Sequence, residues 1–116
     1  FSKEDGYSIM NEFFKQNNPP DGIVFTDNLV AFGALSAIKE HGIKIPDDIG
    51  LVSFDNFPVA ELSDPQITTV DIDLLDLGIQ AASMLLKEIQ LPSTTKQQSL
   101  LSVRLIKRGT SERSQR

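Results

Sequence analysis

An α/β fold with a mostly parallel sheet flanked by helices is predicted for this chain by three observations. Ile23-Val24-Phe25 is a short apolar run that ends in Thr26-Asp27-Asn28. Leu51-Val52-Ser53-Phe54 is a second such run, ending in Asp55-Asn56. Between them, residues 29–41 carry Val30, Ala34, Leu35, Ala37 and Ile38 at helical spacing. A strand–helix–strand crossover of this length makes the two strands parallel, with both carboxyl ends on one edge of the sheet. Ligands of open α/β sheets bind outside that edge. Asp27 and Asp55 are therefore expected to look into one crevice, and the function is expected there.

The remaining elements follow in order. Residues 2–16 read as a helix capped by Ser2, with Asp5 at the position of a capping-box acid. Tyr7, Met10, Phe13 and Phe14 fall on one face of it, and Asn17-Asn18-Pro19-Pro20-Asp21-Gly22 ends it. After the strand at 23–26, Asp27 or Asn28 can cap the central helix, where Gly33 and Ala34 allow close approach of the sheet or of another helix. Its end is marked by Lys39 and His41 in the last turn, then Gly42 and Ile43. Ile45-Pro46-Asp47-Asp48 turns the chain into a strand at 49–54. Residues 57–65 hold two prolines and no clear period, which predicts a loop with room for a helical turn. Residues 66–71 are β-rich, and Asp73 caps a long helix with Leu74, Leu77, Ala81, Leu85 and Ile89 on its apolar side. A polar loop at 91–98 leads to a last strand at 100–107, with Leu101, Val103 and Leu105 on one face, and a frayed polar tail from Gly109.

At 116 residues the chain is one domain at most, or part of one. Without cysteine it has no disulfide framework and no thiolate metal site. A single histidine, His41, argues against His-based metal or triad chemistry. The net charge of −5 argues against this segment being itself a reader of DNA, whose surfaces are basic and clustered. No apolar run approaches the ~20 residues of a membrane span. About four strands are few for a doubly wound domain, and with the abrupt start at Phe1 this leads to the expectation that part of the sheet lies elsewhere.

Four stretches together resemble the C-terminal end of LacI/GalR-type transcriptional regulators. They are Pro20-Asp21-Gly22-Ile23-Val24-Phe25-Thr26-Asp27-Asn28 leading into Ala31-Phe32-Gly33-Ala34-Leu35, and Gly42-Ile43-Lys44-Ile45-Pro46-Asp47-Asp48-Ile49-Gly50-Leu51-Val52-Ser53-Phe54-Asp55-Asn56. Then come Pro65-Gln66-Ile67-Thr68-Thr69-Val70 with Leu77-Gly78, and the ending Val103-Arg104-Leu105-Ile106-Lys107-Arg108-Gly109-Thr110-Ser111. Each alone is weak, but in this order they span almost the whole chain. The resemblance implies a periplasmic-binding-protein-like (type I) effector domain of two α/β lobes, of which this chain is a C-terminal part. Residues 1–65 and 99–111 would belong to one lobe and 66–98 to the other, with 112–116 a flexible tail. It implies a cytoplasmic regulator without cofactor, metal or membrane contact. Such a regulator works as a homodimer and binds operator DNA through an N-terminal helix-turn-helix that this chain lacks. The central helix and residues 57–62 are where its dimer contact is expected.

The resemblance also implies a site. Small effectors of the family, most often sugars or nucleobases, sit between the lobes. A carboxylate suits a polyol because it accepts two hydroxyl hydrogen bonds at once, each worth ~1.5–3 kcal/mol. Asp55 matches the family's ligand-binding acid after Gly/Ser-Phe/Tyr. Asp27 matches the polar position before the acidic helix cap; the family shows Asn/Thr-Asp where this chain has Asp27-Asn28, which puts Asn28 at the cap and Asp27 in the cleft. Phe1 falls where a stacking aromatic is found, and Leu74 where a cleft-edge hydrophobe is found. Plainer roles stand beside these: Asp27 as a helix cap, Asp55 as a loop carboxylate, Phe13 and Phe14 as core, His41 as a helix-end cation, and Lys107-Arg108 as a solvated strand end.

Two other readings fit the same pattern. Paired carboxylates on a strand edge can hold Mg²⁺ in a phosphoryl-transfer enzyme or receiver-like domain, but that chemistry wants a lysine at a neighbouring strand end. A sugar-binding protein of a transport system would share the fold without DNA binding, and a regulator tuned by a protein partner would need no sugar.

Overall fold

In the computed structural model, which describes residues 2–92 and 94–113, the order is α1 (Lys3–Phe14), β1 (Gly22–Phe25), α2 (Asn28–Glu40), β2 (Gly50–Phe54), α3 (Pro58–Leu62), β3 (Thr68–Asp71), α4 (Leu74–Gln90) and β4 (Arg104–Ile106). The strands lie in the order β1-β2-β3-β4. β1 runs parallel to β2 with Ile23 opposite Leu51 and Phe25 opposite Ser53. β2 runs parallel to β3 with Val52 opposite Thr68. The predicted parallel sheet is thus present.

Two compact units divide the chain. One comprises the residues through Asp71 and those from Leu105 on; the other is Ile72–Arg104.

The first unit is built around α2. Its Val30, Ala31, Ala34, Leu35, Ala37 and Ile38 are buried together with Met10, Phe25, Ile49, Leu51, Ala60 and Ile67. Strand side chains alternate between faces: Leu51, Ser53 and Phe25 are buried, whereas Val24 between Ile23 and Phe25 is 66% exposed. α1 packs alongside α2 because two glycines let their backbones meet. A Cβ on Gly6 would stand 1.9 Å from the Val30 carbonyl oxygen, and one on Gly33 would stand 1.8 Å from that of Lys3. Gly33 was expected to permit such an approach; Gly6 is its partner in the crossing.

The start of α1 and the end of α2 close as the sequence predicts. Ser2 Oγ accepts from the Asp5 N–H at 3.1 Å and Asp5 Oδ2 from the Ser2 N–H at 2.8 Å, a complete capping box. At the end of α2, Gly42 takes φ +68°, and the Ile43 and Gly42 N–H groups donate to the Ile38 and Lys39 carbonyls, as in a Schellman motif.

Three expectations are corrected. The division expected at 65/66 falls at 71/72, because β3 is laddered onto β2 and its Thr68 and Thr69 are buried in the first unit. The last strand is Arg104–Ile106 rather than 100–107, and residues 99–104 fall in the second unit. The tail is also held. Thr110 is fully buried: its N–H donates to Gln66 O, its Oγ1 donates to Leu51 O at 2.7 Å, and the same Oγ1 accepts from the Thr68 N–H at 2.9 Å. Arg113, expected in the flexible tail, donates to the Pro46 and Asp21 carbonyls at 2.8 and 2.7 Å. Residues 114–116 lie outside the described residues.

The second unit is dominated by α4, capped by Asp73 Oδ1 accepting from the Asp76 N–H at 2.9 Å. None of the 17 residues of α4 is buried.

Candidate functional site

Equal overhang sets the two carboxylate residues at the same edge of the sheet. Phe25 and Ser53 are register partners, and Asp27 and Asp55 each lie two residues beyond them on parallel strands. The bridge between the two strand ends is Asn28, fully buried. Its Nδ2 donates to Ser53 Oγ at 2.9 Å and to Phe54 O at 3.1 Å, and its Oδ1 accepts from the Phe57 N–H at 2.9 Å. An amide is suited to this position because it offers donor and acceptor at once, so the buried group is satisfied at both ends.

The expected roles of Asp27 and Asn28 are exchanged at the cap. Asp27 is the N-cap of α2, its Oδ1 accepting from the Leu29 and Val30 N–H groups at 2.8 and 2.9 Å. Asn28 is the first helical residue, and its side chain turns to the neighbouring strand end. The physical reason is the competition between two demands: an Asp side chain caps as well as Asn, but only an amide can both donate to Phe54 O and accept from Phe57 N–H. Asp27 still lines a cleft of ≈ 470 Å³ with Leu29, Phe57, Pro58 and Val59. Its Oδ2 has no protein partner among the described residues.

Asp55 takes φ 67°, the only non-glycine residue at positive φ among those described. For a residue with a Cβ this conformation costs of order 1 kcal/mol or more and persists where surrounding contacts over-determine it; such residues cluster at functional sites. No described side chain or backbone N–H bonds its carboxylate. The next residue, Asn56, is held instead: its Oδ1 accepts from Arg108 Nη2 at 2.9 Å and from Thr69 Oγ1 at 3.4 Å.

Arg108 was expected to be a solvated strand end. Its side chain is 9% exposed, which corrects that expectation, while Lys107 beside it is exposed as predicted. The guanidinium also donates to Ile67 O and Thr69 Oγ1 from Nη1 and pairs with Glu61 Oε1 at 3.2 Å. Asn28, Asn56, Phe57 and Arg108 were not singled out as site residues in the sequence. Asn56 and Phe57 could have been found by adjacency to Asp55. Arg108 and Asn28 are known only through side-chain directions.

Leu74, the first residue of α4, is 52% exposed and belongs to the second unit. Phe1 lies outside the described residues. Another groove, ≈ 510 Å³, follows β1 from Ile23 to Thr26 against Ile9 and Phe13 of α1. Its one carboxylate, Asp5, is engaged in the capping box, so its chemistry is that of an apolar surface. Among the described residues no three His, Asp or Glu side chains gather as they would for a metal ion, and no helix is long and apolar enough to cross a membrane.

Comparison with known proteins agrees with this architecture. Residues 2–111 match the model of the periplasmic binding protein-like domain. The HTH-type transcriptional repressor PurR of Histophilus somni (strain 129Pt) is 38% identical over 89 residues, 77% of this chain and 27% of that protein. A LacI transcriptional regulator from Bacillus cereus subsp. cytotoxis NVH 391-98 superposes with a TM-score of 0.89 at 34% identity, covering 97% of this chain and 40% of that one. A LacI family regulator from Enterococcus faecium, solved with bound ribose, gives 0.78 at 32% identity, covering 96% and 41%. The chain thus spans between about a quarter and two fifths of the lengths of these relatives, which are transcriptional regulators rather than enzymes. By sequence and by fold, the chain belongs to the LacI/GalR-type regulators and matches the C-terminal part of their periplasmic-binding-protein-like effector domain.

Proposed function

We propose that this chain forms part of the effector site of a cytoplasmic transcriptional repressor. The site takes a small polar metabolite, a sugar in the first instance, and its occupancy is coupled to operator binding by a helix-turn-helix elsewhere in the protein. The observation that carries this reading is Asp55: a carboxylate without a partner among the described residues, held at positive φ on the carboxyl edge of a parallel sheet. Asp27 Oδ2 supplies a second acceptor, and the Phe57, Pro58 and Leu29 side of the cleft an apolar wall for a sugar's C–H face. The ribose bound by the Enterococcus faecium relative supports this ligand class. The resemblance adds Leu74 as a hydrophobe and Phe1 as a stacking aromatic to the ligand contacts of this reading.

A homodimer is part of the proposal. α2 is a poor candidate for its contact, since its small residues are already covered by α1 and the sheet. Leu62, 83% exposed, is better placed.

The test is a thermal-shift screen of the full-length protein against sugars, sugar phosphates and nucleobases, with Asp55→Ala as control. Ligand at about a hundredfold its Kd stabilises by ~2.7 kcal/mol through mass action. A sugar or base is expected to stabilise wild type and leave Asp55→Ala unmoved. Equal stabilisation of both proteins would remove Asp55 from the site. Sedimentation of the same preparation as a monomer would remove the dimer.

A further inference from the structure

Asp55 has a costly backbone conformation and a carboxylate with no protein partner among the described residues, so its neighbours must hold it in place. On one side, Phe54 O accepts from Asn28 Nδ2 and Ser53 Oγ, both at 3.1 Å. On the other, Asn56 Oδ1 accepts from Arg108 Nη2 at 2.9 Å. Asp55 therefore sits between two clamps, one from the start of α2 and one from the end of the chain.

The second clamp is the more specific. Arg108 is itself fixed before it reaches Asn56, since its backbone N–H donates to Thr68 Oγ1 at 2.8 Å and its Nη1 to Ile67 O and Thr69 Oγ1. The remaining Nη2 holds Asn56, with Glu61 Oε1 offsetting the charge. A planar guanidinium presents these donors in fixed directions, so the position of β3 is relayed to the loop after β2. A lysine ammonium has one nitrogen and cannot span the four acceptors.

We infer that Arg108 is a positioning residue for the effector site: through Asn56 it holds the loop that presents Asp55. This rests on the effector reading above. The experiment separates the two, using Arg108→Lys and Asn56→Ala in the full-length protein with Asp55→Ala as reference. Amide hydrogen exchange at residues 54–57 is read together with calorimetric binding of D-ribose and of hypoxanthine as named probes.

Arg108→Lys and Asn56→Ala are expected to speed exchange at 54–57 by about tenfold or more while leaving α2 within about twofold. Both should weaken whichever probe binds by about tenfold, the size of one charge-assisted hydrogen bond. Asp55→Ala should abolish binding yet leave exchange at 56 and 57 unchanged. Exchange that rises equally in α2 and at 54–57 would make Arg108 a general stabiliser and overturn the inference, as would exchange unchanged at 54–57. Asn56→Ala leaves the other acceptors of Arg108 in place, so it decides the matter if Arg108→Lys does not fold. Binding of neither probe, or binding that survives Asp55→Ala, counts against the effector reading, while the clamp is judged on exchange alone.

Discussion

The two long helices are built from similar apolar material and are treated in opposite ways. α2 buries eight of its residues, among them Ala31, Gly33, Ala34 and Ala37. α4 buries none, and Leu74, Leu75, Leu77, Ile79, Leu85, Leu86 and Ile89 are each at least 46% exposed. Side-chain size accounts for part of this. The small residues of α2 let neighbouring backbones come close enough to exclude water, as the glycine contacts with α1 show. α4 carries long aliphatic side chains on a helix specified by local signals, its Asp73 cap at one end and Lys87 in the last turn at the other. In proteins most helical stability comes from packing of the apolar face rather than from such signals. Apolar content alone therefore says that a helix will form, and packing decides whether it is held.

The largest expected effect breaks that comparison at its centre. Ile38→Ala removes a fully buried side chain from α2 and is expected to cost ~2–5 kcal/mol. Leu75→Ala in α4, at a residue 76% exposed, should change the stability of this chain by less than about 0.5 kcal/mol. Urea unfolding of the two variants checks the ordering, and comparable losses would mean that α4 is covered as α2 is.

A smaller effect sharpens the explanation from side-chain size. Gly33→Ala gains about 1 kcal/mol of helix propensity. The new methyl, however, meets the Lys3 carbonyl, a backbone atom that cannot rotate away. Overpacking of this kind costs ~1–3 kcal/mol or more, so a net loss is expected. The thermal midpoint measures it, and an unchanged or raised midpoint would show that α1 can shift without penalty.

The smallest effect concerns the start of α1. The Asp5 carboxyl is held below its ordinary value of 3.8 by its hydrogen bonds with Ser2. A carboxyl depressed in the folded state contributes stability that is complete above its unfolded pKa and is lost as pH falls through the folded one. The first turn of α1 should therefore loosen below about pH 4, with α2 unaffected. NMR titration of Asp5 and of the Gly6 amide reads this directly, and Ser2→Ala should bring the Asp5 midpoint back up.

Much of the first unit was legible in the sequence because its signals are local. The capping box and the Gly42 stop, like the Asp73 cap of the second unit, each join residues within a few positions, where side-chain type and spacing are enough. The parallel pairing of β1 and β2, which sets Asp27 and Asp55 at the same sheet edge, followed from one crossover rule. The choice between Asp27 and Asn28 as cap was not local. It turned on Ser53, Phe54 and Phe57, more than two dozen residues away, and a motif comparison assigned it the wrong way round.

The C-terminal segment shows the limit most plainly. Its alternation and polarity predicted a solvated strand end and a frayed tail. Polar residues look solvated in a sequence whether water or buried backbone satisfies them, and Thr110, Arg108 and Arg113 are satisfied by carbonyls and hydroxyls of Leu51, Ile67, Thr69, Pro46 and Asp21. The sequence by itself determined the long helices, the caps of α1 and α4, the parallel strands and the sheet edge at which Asp27 and Asp55 stand, because these depend on neighbours in the chain and on chirality. Only the tertiary structure decided that Asp27 caps while Asn28 bridges, that β3 stays with the first unit, and that Arg108 reaches the loop carrying Asp55. The Asn28 bridge and the reach of Arg108 depend on hydrogen-bond partners 25 to 52 residues apart, whose directions no spacing encodes.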